Sequence, residues 1–157
     1  RHNKQKRKST GIPYVIHPIR VALILRSVGF SEYEHENLMI SALCHDLIED
    51  TETTFEEISE KFGEQVAIIV DELSRPENSK KDEWINTFET KSKEAKIIKM
   101  ADRIDNLKDT PSNTWTRKTQ INYAQQGNLI LKHCGHASWK LAEILKIKIQ
   151  AVLQNED

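Results

Sequence analysis

Seven consecutive residues, Cys44-His45-Asp46-Leu47-Ile48-Glu49-Asp50, hold most of the chemistry this chain can perform. If they lie on one α-helix, successive side chains are about 100° apart. Glu49 then stands one turn after His45, and Asp50 one turn after Asp46, so each pair is stacked at i,i+4. Leu43 and Leu47 occupy the other side. Three carboxylates crowded into one sector repel each other, and a divalent cation relieves that repulsion at least cost. Two distant segments offer matching ligands: His17 in PYVIHP, and Asp102 in KMADRIDNL, between Ala101 and Ile104 on what must be a core-facing stripe. Two imidazoles and two carboxylates suit Mn²⁺, Fe²⁺, Zn²⁺ or Ni²⁺ better than Ca²⁺. Asn106 follows Asp102 by one turn and would point into the same cavity, where its amide could bind a substrate.

Each of these residues also has a plain reading. A lone His-Asp pair is commonplace on a helix surface, and an asparagine can end a helix. His133-Cys134-Gly135-His136 has ligand-like spacing, but with no second cluster it reads as a turn. The weight lies in the combination of His17, His45, Asp46 and Asp102 with the acidic pair Glu49-Asp50.

The elements that must position them read as helices throughout. His17–Ser27 starts with Pro18 near its first turn and stops at Gly29. Tyr33 to about Asp50 carries an apolar stripe at helical spacing through Leu38, Met39, Ala42, Leu43 and Leu47. Thr54 and Glu57 form a capping-box pattern ahead of Ile58, and Gly63 closes that helix. Glu64–Leu73 follows. Residues 74–90 are polar and broken by Pro76, so they read as a loop or lid. Lys91–Leu107, Thr119–Lys132 and Ala137–Gln154 complete an all-α bundle of about seven or eight helices, in one domain over residues 1–157.

Composition narrows the function classes. The 157 residues suit one domain with a real core. They are 38% hydrophobic and 30% charged, with a net charge of −1, which argues against a global field for nucleic acid. The charge is uneven. Residues 1–10 carry five cations and no acid, whereas residues 31–60 carry ten acids and no Lys or Arg. No run approaches the roughly 18 apolar residues of a membrane helix, and no apolar stretch follows the basic start as in a secretory signal. Two cysteines are too few for a disulfide framework, so a reducing, cytoplasmic compartment is expected.

The motifs H-x-x-Q-x-R-K-S, PYVIHP, ALCHDLIEDT, FGEQVAIIVDELS and EAKIIKMADRIDNLKD, in this order, resemble the HD phosphohydrolase superfamily. More narrowly, they are similar to the hydrolase domain of RelA/SpoT homologues, which cleave the alarmone (p)ppGpp. The resemblance runs from His2 to about Tyr123. With no synthetase segment after it, the chain looks like a stand-alone small alarmone hydrolase or an isolated hydrolase domain. The resemblance implies one Mn²⁺ held by His17, His45, Asp46 and Asp102. It implies that Glu49 and Asp50 position and deprotonate the attacking water. Arg7, Lys8, Ser9, Asn106 and Tyr123 would contact a guanine nucleotide, and the reaction would release pyrophosphate from its 3′ position. There is one departure: Thr119 stands where short members carry an arginine that helps hold phosphate, so Arg117 or Lys118 would have to substitute. That leaves room for an HD nucleotidase or phosphatase acting on another phosphorylated nucleotide. A non-catalytic nucleotide sensor is disfavoured by the intact Glu49-Asp50 pair. The sequence leaves the oligomeric state open.

Overall fold

Residues 5–7, 11–108 and 115–154 are described by the computed structural model. Among them are nine α-helices: α1 (Ile16–Ser27), α2 (Glu36–Cys44), α3 (Leu47–Asp50), α4 (Phe55–Phe62), α5 (Glu64–Leu73), α6 (Lys81–Asn86), α7 (Lys93–Lys108), α8 (Arg117–Cys134) and α9 (Trp139–Gln154). Two 3-10 turns, Thr87–Glu89 and Gly135–Ala137, complete the helical content. The described residues include no strand, only an isolated antiparallel bridge between Lys6 and Pro13. The all-α expectation therefore holds.

The predicted stops and starts are built as expected. Helix α1 ends in a Schellman arrangement: Gly29 N–H donates to Arg26 O at 3.1 Å and Phe30 N–H to Leu25 O at 3.1 Å. Gly29 takes φ 108°, a conformation that costs glycine little. The capping box of α4 is present, with Thr54 Oγ1 accepting from Glu57 N–H at 3.2 Å and Glu57 Oε2 accepting from Thr54 N–H at 3.3 Å.

Two expectations are corrected. The helix read from Tyr33 to Asp50 is two helices, interrupted at His45-Asp46, where Asp46 has φ −101° and ψ 1°. Residues 74–90 are not simply a loop, because α6 and the following 3-10 turn lie within them. Trp84, Ile85 and Phe88 are buried there at 5%, 0% and 0% exposure. Their i, i+1, i+4 spacing is a one-turn apolar stripe, hidden in the sequence by the polar residues around it.

Helix α7 is the central strut, packing against α1, α2, α5, α8 and α9. It is buried on nearly every side, and its buried residues include Asp102, Arg103 and Asp105. Charged groups held there must be paired or bound to an ion. The main core joins α1, α2 and α5 to α9, including Ile69 and Leu73 of α5, and a smaller cluster of Cys44, Ile58, Val66, Ala67 and Val70 lies between α4, α5 and the end of α2. Leu47 and Ile48 pack on that smaller cluster and so anchor the short α3.

Candidate active site

His17 enters the core one residue into α1 and is 1% exposed. Its Nδ1 lies 2.6 Å from Asp105 Oδ2. Arg20, one turn further along α1, also holds Asp105, with Nε 2.7 Å from Oδ1. A hydrogen bond from Nδ1–H to Asp105 leaves His17 Nε2 facing Asp102 Oδ1 at 3.2 Å and Asp46 Oδ2 at 3.6 Å. On the second histidine, Nδ1 lies 2.8 Å from Ala42 O, and donation there frees His45 Nε2. That nitrogen is buried and sits 3.0 Å from Asp46 Oδ2 without forming a directed hydrogen bond. One ligand atom each from His17, His45 and Asp102 lie within 4.8 Å of one another. An unsatisfied imidazole nitrogen beside buried carboxylates is a donor set that fits a divalent transition metal.

Protons balance this charge in the chain alone. Burial pulls His17 down, but Asp102 and Asp105 outweigh it and hold the imidazole at about 9. Burial pushes Asp46 up, and the His45 ring outweighs it, bringing the carboxyl to about 2. Asp102 is likewise held well below the carboxylate range, by Lys99 and His17 against its burial. A metal bound to His17 must displace its proton, so affinity is expected to rise with pH up to about 9. For one displaced proton the gradient is roughly tenfold per pH unit. Titration calorimetry with Mn²⁺ in buffers of different ionisation enthalpy measures the proton released. Affinity independent of pH between 6.5 and 9 would contradict a metal on His17.

The surrounding groups fix these ligands. Tyr14 donates its hydroxyl to Asp46 Oδ2 at 2.5 Å, and burial together with Asp46 keeps that phenol protonated. Asn106 donates to Asp102 Oδ1, while its own Oδ1 accepts from Arg7 Nη2 at 2.7 Å. Arg7 is thus buried and linked through Asn106 to the centre of the site. Asp105 positions His17, and such partners commonly carry 10- to 100-fold of metal affinity. Asp105→Asn is therefore expected to weaken Mn²⁺ binding by about that factor, read by competition with a chelator. Unchanged affinity would leave Asp105 as a structural partner of Arg20 alone.

Beside the cluster lies a cavity of about 240 Å³, lined by Glu49 and Asp50 from α3, by Asn106 and by Tyr123. Glu49 Oε2 accepts a hydrogen bond from Arg75 N–H at 3.0 Å, and its Oε1 is 3.8 Å from Arg75 Nε. The acidic neighbourhood expected around Glu49 therefore contains a cation as well. On the opposite wall, the Arg103 guanidinium carbon is 3.8 Å and Lys81 Nζ 4.9 Å from the Tyr123 ring centroid. The Trp115 ring meets the Tyr123 ring at 70°, with centroids 5.0 Å apart.

The structure thus brings together His17, His45, Asp46, Asp102, Glu49, Asp50, Asn106, Tyr123 and, through Asn106, Arg7. Lys8 and Ser9 lie outside the described residues. Arg117 does not fill the place left by Thr119: it donates to Val152 O at 2.7 Å and Leu153 O at 3.2 Å at the end of α9. Sequence reasoning missed Tyr14, Arg75, Lys81, Lys99, Arg103 and the Arg20–Asp105 pair. The spacing Lys99-Asp102-Asp105-Asn106 on one helix was a usable signal for two of them.

This fold and this His/Asp centre define a class. A family model for the HD domain matches residues 1–133, so the chain belongs to the HD-domain family. HD hydrolases are metal-dependent, and the cluster here is a site of the corresponding kind. Within the class, the chain is 42% identical over 69% of its length to guanosine-3′,5′-bis(diphosphate) 3′-pyrophosphohydrolase of Aquifex aeolicus, of which it spans 16%. It is 36% identical over 84% of its length to guanosine-3′,5′-bis(diphosphate) 3′-pyrophosphohydrolase MESH1 of Danio rerio, spanning 77% of that protein. A solved structure described as a metazoan ortholog of SpoT that hydrolyzes ppGpp superposes with a TM-score of 0.86 at 29% identity, covering 96% of this chain and 88% of that one. Among the described residues no helix is long and apolar enough to cross a membrane.

Proposed function

We propose that this chain is a cytoplasmic, metal-dependent (p)ppGpp 3′-pyrophosphohydrolase that returns GDP or GTP and releases pyrophosphate. The observation that carries this reading is that Glu49 and Asp50 line one cavity with His17, Asp46 and Asp102, with His45 next to His17 and Asp102. His17, His45, Asp46 and Asp102 would hold one ion, for which we favour Mn²⁺. Such an ion supplies charge neutralisation at the phosphate and a lowered pKa for water.

The chain's own residues do the rest. Glu49, with Asp50 beside it, takes a proton from the attacking water. The water oxygen attacks the phosphorus joined to the ribose 3′ oxygen. The 3′ O–P bond breaks, the 3′ oxygen gains a proton, and the P–O–P bond stays intact in the leaving pyrophosphate. Arg7 and Asn106 orient the nucleotide beside Asp102, and Lys8 and Ser9 extend the same basic segment. Tyr123 forms the far wall.

A second reading, a nucleotidase acting on another phosphorylated nucleotide, has a specific observation in its favour: Thr119 and Arg117 bring no cation to the cavity. A Mn²⁺-loaded substrate screen decides between them. Pyrophosphate from ppGpp supports the first. Orthophosphate, or cleavage confined to 2′- or 3′-monophosphates, replaces it with the second.

A further inference from the structure

We infer that Lys99, seated against the Trp84 ring, is a positioning residue that leaves Asp102 one oxygen to offer an ion, so that the centre selects a small transition-metal ion over Ca²⁺. This rests on the metal centre proposed above, and not on the identity of the nucleotide.

The two oxygens of Asp102 stand in different surroundings. Oδ1 faces His17 Nε2 at 3.2 Å, on the side of the ligand cluster, and also accepts from Asn106. Oδ2 faces Lys99 Nζ at 2.9 Å. Lys99 precedes Asp102 by one turn of α7, so the two share a face of that helix. Their side chains are 11% and 9% exposed, where solvent screens a charge pair little. An ammonium this close repels a second cation from Oδ2. A carboxylate oxygen has about two acceptor sites, so Oδ1 can accept from Asn106 and still serve an ion. Asp102 is thus presented through one oxygen. Ca²⁺ gathers about six to eight oxygen ligands and often takes both oxygens of one carboxylate. Two imidazoles with single carboxylate oxygens suit Mn²⁺, Fe²⁺ or Zn²⁺ instead.

The ion pair is not the only thing that holds Lys99. Its Nζ is 4.5 Å from the Trp84 ring centroid, a distance at which the ring face attracts a cation. Trp84 is 5% exposed and meets the Phe88 ring at 88°, with centroids 5.1 Å apart, so the core fixes the ring. Lys91 Nζ also approaches this ring, at 4.9 Å, but it is committed to Glu72 O in the last turn of α5. Helix α6 therefore reaches a metal ligand in two steps, from ring to ammonium and from ammonium to carboxylate. A lysine that merely neutralised buried Asp102 would weigh equally on every divalent ion, because all carry the same charge. A lysine that withholds Oδ2 weighs most on the ion that would use both oxygens.

The test uses the full chain, stripped with a chelator and titrated with Mn²⁺ alone, the free ion being followed by electron paramagnetic resonance. Displacement by Ca²⁺ then gives the ratio of the two affinities. In Lys99→Met, loss of one positive charge strengthens both ions alike, and that contribution cancels in the ratio. Freeing Oδ2 favours Ca²⁺ alone, so the preference for Mn²⁺ is expected to fall about tenfold, the lower end of what the partners of a metal ligand carry. Lys99→Arg keeps a cation that stacks on a ring and donates to a carboxylate, so it should hold the preference within about threefold of wild type. Trp84→Phe should hold it too, whereas Trp84→Leu lacks a ring face and should shift it in the direction of Lys99→Met. A ratio unchanged or raised in Lys99→Met leaves Lys99 as a charge partner and overturns the inference. A wild type that binds neither ion overturns the metal centre and the inference together. A wild type with the expected ratios that leaves ppGpp intact overturns the substrate reading and lets the role of Lys99 stand. Methionine keeps the unbranched apolar stem of lysine, so Lys99→Met should fold, with circular dichroism as the check. The Lys99 variants decide the matter even if Trp84→Leu does not fold.

Discussion

Asp102→Ala is expected to lose its bound metal and reduce hydrolysis to background while keeping its helices. Asp102 lies where the site's contacts meet: 3.2 Å from His17 Nε2, 2.9 Å from Lys99 Nζ, and hydrogen-bonded to Asn106. Removing it deletes one ligand and unties Asn106, through which Arg7 reaches the site. Helix α7 keeps its buried apolar residues Ile97, Ile98, Ala101 and Ile104, so the bundle has no reason to open. Stranded partners should cost about 1–3 kcal/mol, visible as a lower Tm. Elemental analysis, circular dichroism and an activity assay on one preparation separate these effects. A variant with a full complement of metal would remove Asp102 from the ligand set.

Glu49→Gln should separate binding from chemistry. A glutamine carbonyl can still accept the Arg75 N–H that Glu49 Oε2 accepts at 3.0 Å, so the side chain should stay in place. Leu47 and Ile48 hold α3 on the smaller core in either case. What disappears is the basic oxygen. The rate is expected to fall about 100-fold or more, as when a general base is lost. Metal content and KM should remain within about threefold of wild type, because the four proposed ligands do not include Glu49. Near-normal turnover would hand the proton to Asp50 or to a water activated without either carboxylate.

Lys81 shows why part of this site escaped sequence reading. It lies in a polar segment whose only apolar cue is Trp84, Ile85 and Phe88, too short a stripe to outweigh Pro76 and the charges around it. The helix exists because those three side chains find a hydrophobic core provided by other helices, and a one-turn helix gains little from its own hydrogen bonds. Arg75 reaches Glu49 across 26 residues, and Arg20 reaches Asp105 across 85. Pairings at such separations leave no periodicity to read.

The sequence alone determined the helical class, the α4 capping box and the glycine stop after α1, and it singled out His17, His45, Asp46, Asp102, Glu49 and Asp50 as candidates for a site. These follow from local rules of spacing, capping and ligand chemistry, which act within a turn or two of helix. The tertiary structure decided three other matters: the break at His45-Asp46, the role of Asp105 as partner to both His17 and Arg20, and the convergence of Arg75, Lys81, Lys99 and Arg103 on one cavity. The reason is that α7 is buried on almost all sides. Its charged residues must find partners in the low-dielectric interior, and only the packing of α1, α2, α5, α8 and α9 around it settles which partners those are.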